Sequence, residues 1–317
     1  MSDATINAET NTDSPTAAPT ASNPATANSP AATAISAGTA SGDQSTFTVG
    51  SPVWVDLNVP DLTAVQGFYE SLFGWEFEDM GPDFGHYHLI TRHGAAVGGA
   101  MSMAENDSDE APAWMVYLKS DDIEKSLTDT AAAGGDVIVP AMPMPELGTM
   151  GVVTSPGGEV MGVWQPNRLE GFVLDNSVGS PAWFEVMSFN YDVDAEYYRT
   201  VWGWEPVLLG EDGKEQPDEG GDAETEDAEA MGRYANNHRG ENATAGLCEP
   251  DPSWFPEGTP SYWQPYFSVE NADAAVDLIR QQGGSVLDGP LDTPFGRLAT
   301  VTDPAGASFQ IAELTQQ

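Results

Sequence analysis

Basic side chains are scarce in this chain. Ten Lys and Arg stand against 50 Asp and Glu, a formal charge of −40. Nucleic-acid binding needs clustered Lys and Arg to displace phosphate counterions, so nucleic acid is excluded as a partner. An anionic membrane is excluded by the same sign argument. Cysteine occurs once, at Cys248, so no internal disulfide can form, and a reducing cytoplasm is the expected compartment. No run of 18 apolar residues is present to make a spanning helix. The N-terminus lacks the basic start and apolar run of a secretory signal. No Ser-His-Asp order, Gly-rich phosphate loop or Cys-His pair is visible, and no cofactor is expected. The acidic, lysine-poor composition suits a high-salt, halophilic cytoplasm, where ions screen self-repulsion. A merely acidic cytosolic protein has the same composition.

What is present is a repeat. The 317 residues, 40% hydrophobic, suffice for two ordinary domains. Residues 1–47 are low-complexity Ala, Thr, Ser, Pro and Asn, read as a disordered tail. Beyond them SPVWVDL opens at Ser51 and SPAWFEV at Ser180. Tyr69 matches Tyr198, and Gly74-Trp75-Glu76 matches Gly203-Trp204-Glu205, all offset by 129. Further on, Trp114 matches Trp263 and Gly134-Gly135 matches Gly283-Gly284, now offset by 149. The second copy therefore carries an insertion, placed at the acid-rich stretch 211–229 and read as a solvated loop. The expected domains are residues 50–167 and 179–316, with a short linker at 168–178.

Each copy reads as two strand-helix-strand-strand-strand units. Val53, Val55 and Leu57 alternate with Trp54, Asp56 and Asn58, a strand with two unlike faces. Residues 61–73 begin at an Asp cap, carry Leu62, Val65, Phe68, Tyr69 and Leu72 at helical spacing, and stop at Gly74. Short strands are expected near 75–80, 86–92 and 96–103. A second unit begins at WMVYLKS, with a helix over 121–133.

The motifs VPDLTAVQGFYESLFGWE, AVDLIRQQGGSVL and TDPAGASFQIAEL resemble the vicinal oxygen chelate superfamily of glyoxalases, bleomycin-resistance proteins and extradiol dioxygenases. The doubled tryptophan-acid strand resembles most a two-domain, glyoxalase-like branch. The resemblance covers residues 50–316. It implies an α+β fold: two tandem domains, four βαβββ units and curved mixed sheets forming clefts.

Metal-dependent members hold a divalent ion with His and Glu from four strands. Matched residue by residue, those places fall on Trp54, Met115, Gly162 and the stretch 97–101, and on Trp183, Gln264, Gln310 and the stretch 244–248. None holds His or a carboxylate, so the ordinary metal site is expected to be lost from both domains. Cys248 is read as a small buried hydrophobe. His86 and His88, two apart on an expected strand, share one face but lack a third ligand.

The resemblance implies that Trp54 and Asp56, with Trp183 and Glu185, face the ligand side of each sheet. The same register adds Met115, Tyr117, Trp164, Gln264, Tyr266 and Gln310 as ligand-binding candidates, an aromatic, weakly polar wall. Asp56 and Glu185 are the candidate catalytic residues, since a carboxylate desolvated beside an indole has its pKa raised. Three readings stay open. One is a metal-free cleft that binds a small aromatic or hydrophobic molecule. The second is a lyase, isomerase or dioxygenase using Asp56, Glu185 or an unseen metal site. The third is an interaction protein whose tryptophans plug the clefts. With two domains in one chain, a monomer or weak homodimer is expected.

Overall fold

The computed structural model describes residues 47–103, 111–173, 177–210, 213–216 and 232–313. The expected N-terminal tail, except Phe47, lies outside the described residues, as does most of the acidic stretch. Residues 213–216 of that stretch are placed, with Glu215 bridged to Leu209 and paired with Arg239.

The chain is α+β, with two eight-stranded mixed sheets and four described α-helices. The first repeat supplies β1 (Pro52–Val59), α1 (Leu62–Phe73), β2 (Glu76–Asp79), β3 (His88–Arg92) and β4 (Ala95–Ser102). Its second unit is β5 (Ala113–Lys119), α2 (Ile123–Ala132), β6 (Asp136–Met144), β7 (Gly148–Thr154) and β8 (Val160–Pro166). The second repeat follows the same order. Its first unit is β9 (Pro181–Met187), α3 (Tyr191–Trp202), β10 (Val207–Leu208), β11 (Tyr234–Asn236) and β12 (Gly246–Cys248). Its second is β13 (Tyr262–Ser268), α4 (Ala272–Gln281), β14 (Ser285–Thr293), β15 (Gly296–Thr302) and β16 (Ser308–Glu313). Strand order is β2-β3-β4-β1-β5-β8-β7-β6 in one sheet and β10-β11-β12-β9-β13-β16-β15-β14 in the other. The two units that share a sheet thus come from one repeat, joined by antiparallel β1–β5 and β9–β13 pairs.

Local chemistry sets the element ends. Asp61 accepts from Thr63 N at 3.0 Å and caps α1, and Gly74 closes it in the left-handed conformation. The buried stripe of α1 is Leu62, Val65, Phe68, Tyr69 and Phe73. Leu72, expected in that stripe, lies only at its edge, because Phe73 turns inward to meet Trp75.

The repeats join through a reciprocal pair of bonds. Trp75 Nε1 donates to Gly179 O at 2.9 Å, and Trp204 Nε1 donates to Gly50 O at 3.0 Å. Both pairs keep the 129-residue offset, so the joint has pseudo-twofold symmetry. Trp75 stacks on Tyr69 and Trp204 on Tyr198, with ring centres 5.3 and 4.3 Å apart. The first aromatic cluster is completed by Phe267 and Phe309 from the second repeat. Strand β5 lies against β13, α1 against α4 and α2 against α3.

Candidate functional site

In β1 the two-residue period sends Trp54 and Asp56 to the same face. Trp54 Nε1 donates to Asp56 Oδ1 at 3.0 Å and to the Tyr87 hydroxyl oxygen at 2.8 Å. The Tyr87 hydroxyl donates to Asp56 Oδ1 at 2.6 Å. Tyr117, opposite Trp54 on β5, gives the carboxylate another hydroxyl partner. Asp56 is only 8% exposed. Burial pushes its carboxyl above the ordinary range, while the bonds from Tyr87, Tyr117 and Trp54 pull it back in part. Both phenols are pushed well above their usual value, first by burial and then by the neighbouring Asp56 charge.

Two glycines make room for this cluster. A Cβ on Gly99 would stand 1.6 Å from the Tyr87 hydroxyl oxygen, and one on Gly162 would stand 2.0 Å from the Tyr117 ring. Any side chain there would displace a tyrosine.

The second repeat builds the same arrangement one carbon longer. Trp183 Nε1 donates to the Tyr234 hydroxyl oxygen at 2.9 Å, and Tyr266 donates to Glu185 Oε2 at 2.7 Å. Tyr234 is a second hydroxyl partner of Glu185. Burial again raises the carboxyl, against the pull of Tyr266 and Tyr234. Gly246 leaves space for the Tyr234 hydroxyl, 2.2 Å from where its Cβ would be. The repeats differ at the indole: Trp54 is buried, whereas Trp183 is half-buried. The half-exposed Phe295 ring stacks on Tyr234, ring centres 6.4 Å apart. Cys248 is half-buried near Glu185, and burial pushes its thiol far up.

The structure therefore gathers Trp54, Asp56 and Tyr117 at one site and Trp183, Glu185 and Tyr266 at the other. Met115 lies opposite Asp56 in the ladder, and Gln264 opposite Glu185. Gln310, opposite Tyr266, donates to Thr300 Oγ1 at 2.8 Å and to Gln264 Oε1 at 3.4 Å. Trp164 lies two residues beyond Gly162 on β8. It is opposite Lys119, and its indole NH is bound to Leu169 O at 2.8 Å. The sequence reading missed Tyr87 and Tyr234. They are offset by 147 residues, as are Gly99 and Gly246, so aligning the third strands at that offset finds them.

His86 and His88 do not share a strand face. His86 sits in the turn before β3 with φ at 59°, its ring on Asp79 at 2.9 Å, and only His88 enters the strand.

A divalent metal does not suit these donor sets. Each site offers one carboxylate, already bonded by hydroxyl groups, with phenols and an indole but no imidazole, and the second adds only the Cys248 thiol, which burial keeps protonated. The last-strand ligand position of the first repeat, Gly162, is where the Tyr117 ring lies. Among the described residues no three His, Cys, Asp or Glu converge on a common point.

A family model described as the Glyoxalase/Bleomycin resistance protein/Dioxygenase superfamily matches residues 51–161 and 182–311. CFP32 of Mycobacterium tuberculosis, described as a glyoxylase, is 31% identical over 278 residues, covering 86% of this chain and 98% of that one. The anthracycline biosynthesis protein DauV of Streptomyces sp. is 31% identical over 284 residues, covering 85% and 95%. Among solved structures, the Mn(II)-bound glyoxalase of Novosphingobium aromaticivorans has a TM-score of 0.54 at 15% identity, covering 84% of this chain and 82% of that one. The 2,3-dioxygenase LapB of Pseudomonas sp. KL28 has a TM-score of 0.55 at 16% identity, covering 85% and 93%. At these identities the two structures speak to the fold alone.

Proposed function

We propose, from the premise that this chain belongs to the Glyoxalase/Bleomycin resistance protein/Dioxygenase superfamily, that it binds a small aromatic molecule without a metal. The second repeat is the working site, and the guest carries a positive group. The observation that carries this reading is Glu185: a buried carboxylate walled by Trp183, Tyr234 and Tyr266, with no basic side chain bonded to it among the described residues. Arg233, next to Tyr234, and Arg297, on β15, are spent elsewhere, Arg233 on Asp192 and Glu249, Arg297 on Asp273 and Asp292. An ammonium group would supply the missing counter-charge, and the half-buried indole would stack on its flat body. Relatives named for anthracycline biosynthesis support a flat polycyclic guest. The chain works as a monomer or weak homodimer, since its two repeats already pair.

The test is calorimetric titration of the full chain with 1-naphthylmethylamine, 1-naphthalenemethanol and 1-naphthoate. The expected order of affinity is cation, neutral, anion. Glu185→Gln and Trp183→Ala each weaken the cation by roughly tenfold or more. Equal binding of all three probes, or Glu185→Gln binding as tightly as the wild type, would sink the reading.

The raised carboxyl favours a second reading, proton transfer on the bound guest by Glu185 or Asp56. In that case Glu185→Gln or Asp56→Asn abolishes turnover of a substrate while Trp183→Ala mainly weakens its binding.

A further inference from the structure

The joint between the repeats is symmetric in its tryptophans but not in its acids. On one side Tyr69 donates to Asp303 Oδ2 at 3.0 Å, and Asp303 Oδ1 accepts from Ala305 N, Gly306 N and Ala307 N at 2.8–2.9 Å. That carboxylate is fully occupied. On the other side the matching tyrosine, Tyr198, donates to Glu159 Oε1 at 2.8 Å. There a second acid, Asp194 of α3, stands where α1 has Val65. Glu159 stands where the second repeat has Ala307.

Both acids have no exposed surface. Each keeps one carboxylate oxygen with no hydrogen-bond partner, Glu159 Oε2 and Asp194 Oδ1. They come from opposite sides of the joint, Glu159 from the β7–β8 end and Asp194 from α3, close enough for the Asp194 charge to act on Glu159. Asp194 Oδ1 lies against Gly157, two residues from Glu159, so closely that a Cβ there would be 1.9 Å away. Tyr198, one helical turn beyond Asp194, holds the Glu159 carboxylate. The other groups facing the pair are neutral. Ser188 and Ser261 donate to Asp194 Oδ2 at 2.5 and 3.2 Å. Ser155 sits in the β7–β8 turn with its hydroxyl accepting from Gly157 N at 2.9 Å, and Met161 of β8 lies by the Tyr198 hydroxyl. Tyr197 of α3 bonds Thr130 of α2 at 3.1 Å. Among the described residues no Lys, Arg or His bonds either acid.

We propose that Glu159 and Asp194 hold one proton between them, and that this pair fastens the two repeats at one end of their joint and loosens as the proton leaves to water. Two buried carboxylates without a cation cannot both stay charged at small cost. One proton relieves the pair, because the acid that takes it becomes neutral and leaves the other charge without a like neighbour. Burial first, and the Asp194 charge second, push the Glu159 carboxyl up to about 7. The folded chain therefore holds a proton that the unfolded chain has released. The stabilisation is full below the ordinary glutamate range and is lost as pH rises toward that value. This inference does not depend on what the sheet faces bind.

The test is carbon NMR of the full chain labelled at its Glu and Asp carboxyls, titrated from pH about 4 to about 9. The Glu159 signal is expected to titrate well above the ordinary glutamate range, and Asp194→Asn to lower its midpoint by about one unit or more. Thermal unfolding supplies the second readout. The wild type is expected to lose several degrees between pH about 5 and about 8 relative to Glu159→Gln, whose side chain is permanently neutral. A Glu159 signal titrating in the ordinary range, or the same pH dependence in Glu159→Gln, overturns the proposal. If neither variant folds, the titration of the unsubstituted chain decides.

Discussion

Glycines at two strand positions decide what the sheet faces can hold. Gly162 is the clearest, because its absent side chain is the space the Tyr117 ring occupies. Gly162→Val is expected to expel that ring and destabilise the fold by about 1–3 kcal/mol, measured by urea unfolding, and to release the Tyr117 hydroxyl from Asp56. At this scale the sequence was informative where the period of two held. Trp54, Asp56 and Tyr117 all follow from the alternation in β1 and β5, as do Trp183, Glu185 and Tyr266. Tyr87 escaped although it fell within the strand expected over 86–92, because that strand begins only at His88 and the turn before it sets where the Tyr87 ring goes. Trp164 adds a contact that alternation does not foretell. Its position on β8 fits the register, but a backbone carbonyl at Leu169 captures its indole.

Helices and strands were legible to within a residue or two where caps were strong. The Asp61 and Asp122 caps start α1 and α2 at Leu62 and Ile123, close to the expected starts. The outer strands of the second repeat were not legible. β10, β11 and β12 have two, three and three residues, against four, five and eight in β2, β3 and β4. Propensity does not foretell how far an inserted acidic stretch shortens the strands beside it. The Gly-Trp-Glu repeat, by contrast, was visible but its purpose was not, since its indole partners are 104 and 154 residues away. Trp75→Phe and Trp204→Phe are each expected to cost about 1–2 kcal/mol, and by similar amounts, because each removes one buried indole bond. Chemical denaturation of the two variants checks this, and a large inequality between them would mean the joint is not symmetric in energy.

Across the whole molecule, charge is the dominant unrelieved term. The ion pairs of the described residues are mostly surface pairs, such as Lys125 with Asp129 and Arg199 with Glu196, and contribute little each. A formal charge of −40 repels itself throughout the fold. Raising sodium chloride from about 0.05 to about 1 M is therefore expected to raise the melting temperature by several degrees, followed by circular dichroism. Two repeats were legible at this scale, because paired motifs keep their order despite the insertion. Which units share a sheet was not, because β1 pairing with β5 or with β13 satisfies the same alternation.

The reciprocal tryptophan joint also has a consequence in time. A ribosome that has delivered the first 170 residues has made Tyr69, Trp75 and Trp114, but not Gly179, Phe267 or Phe309, which complete their cluster. The nascent first half emerges with an unfinished aromatic wall, open to any sticky surface in the cell. It stays so until translation has run almost to the final strand, so a stalled or truncated message yields a chain bound for chaperones or aggregates rather than half a working protein.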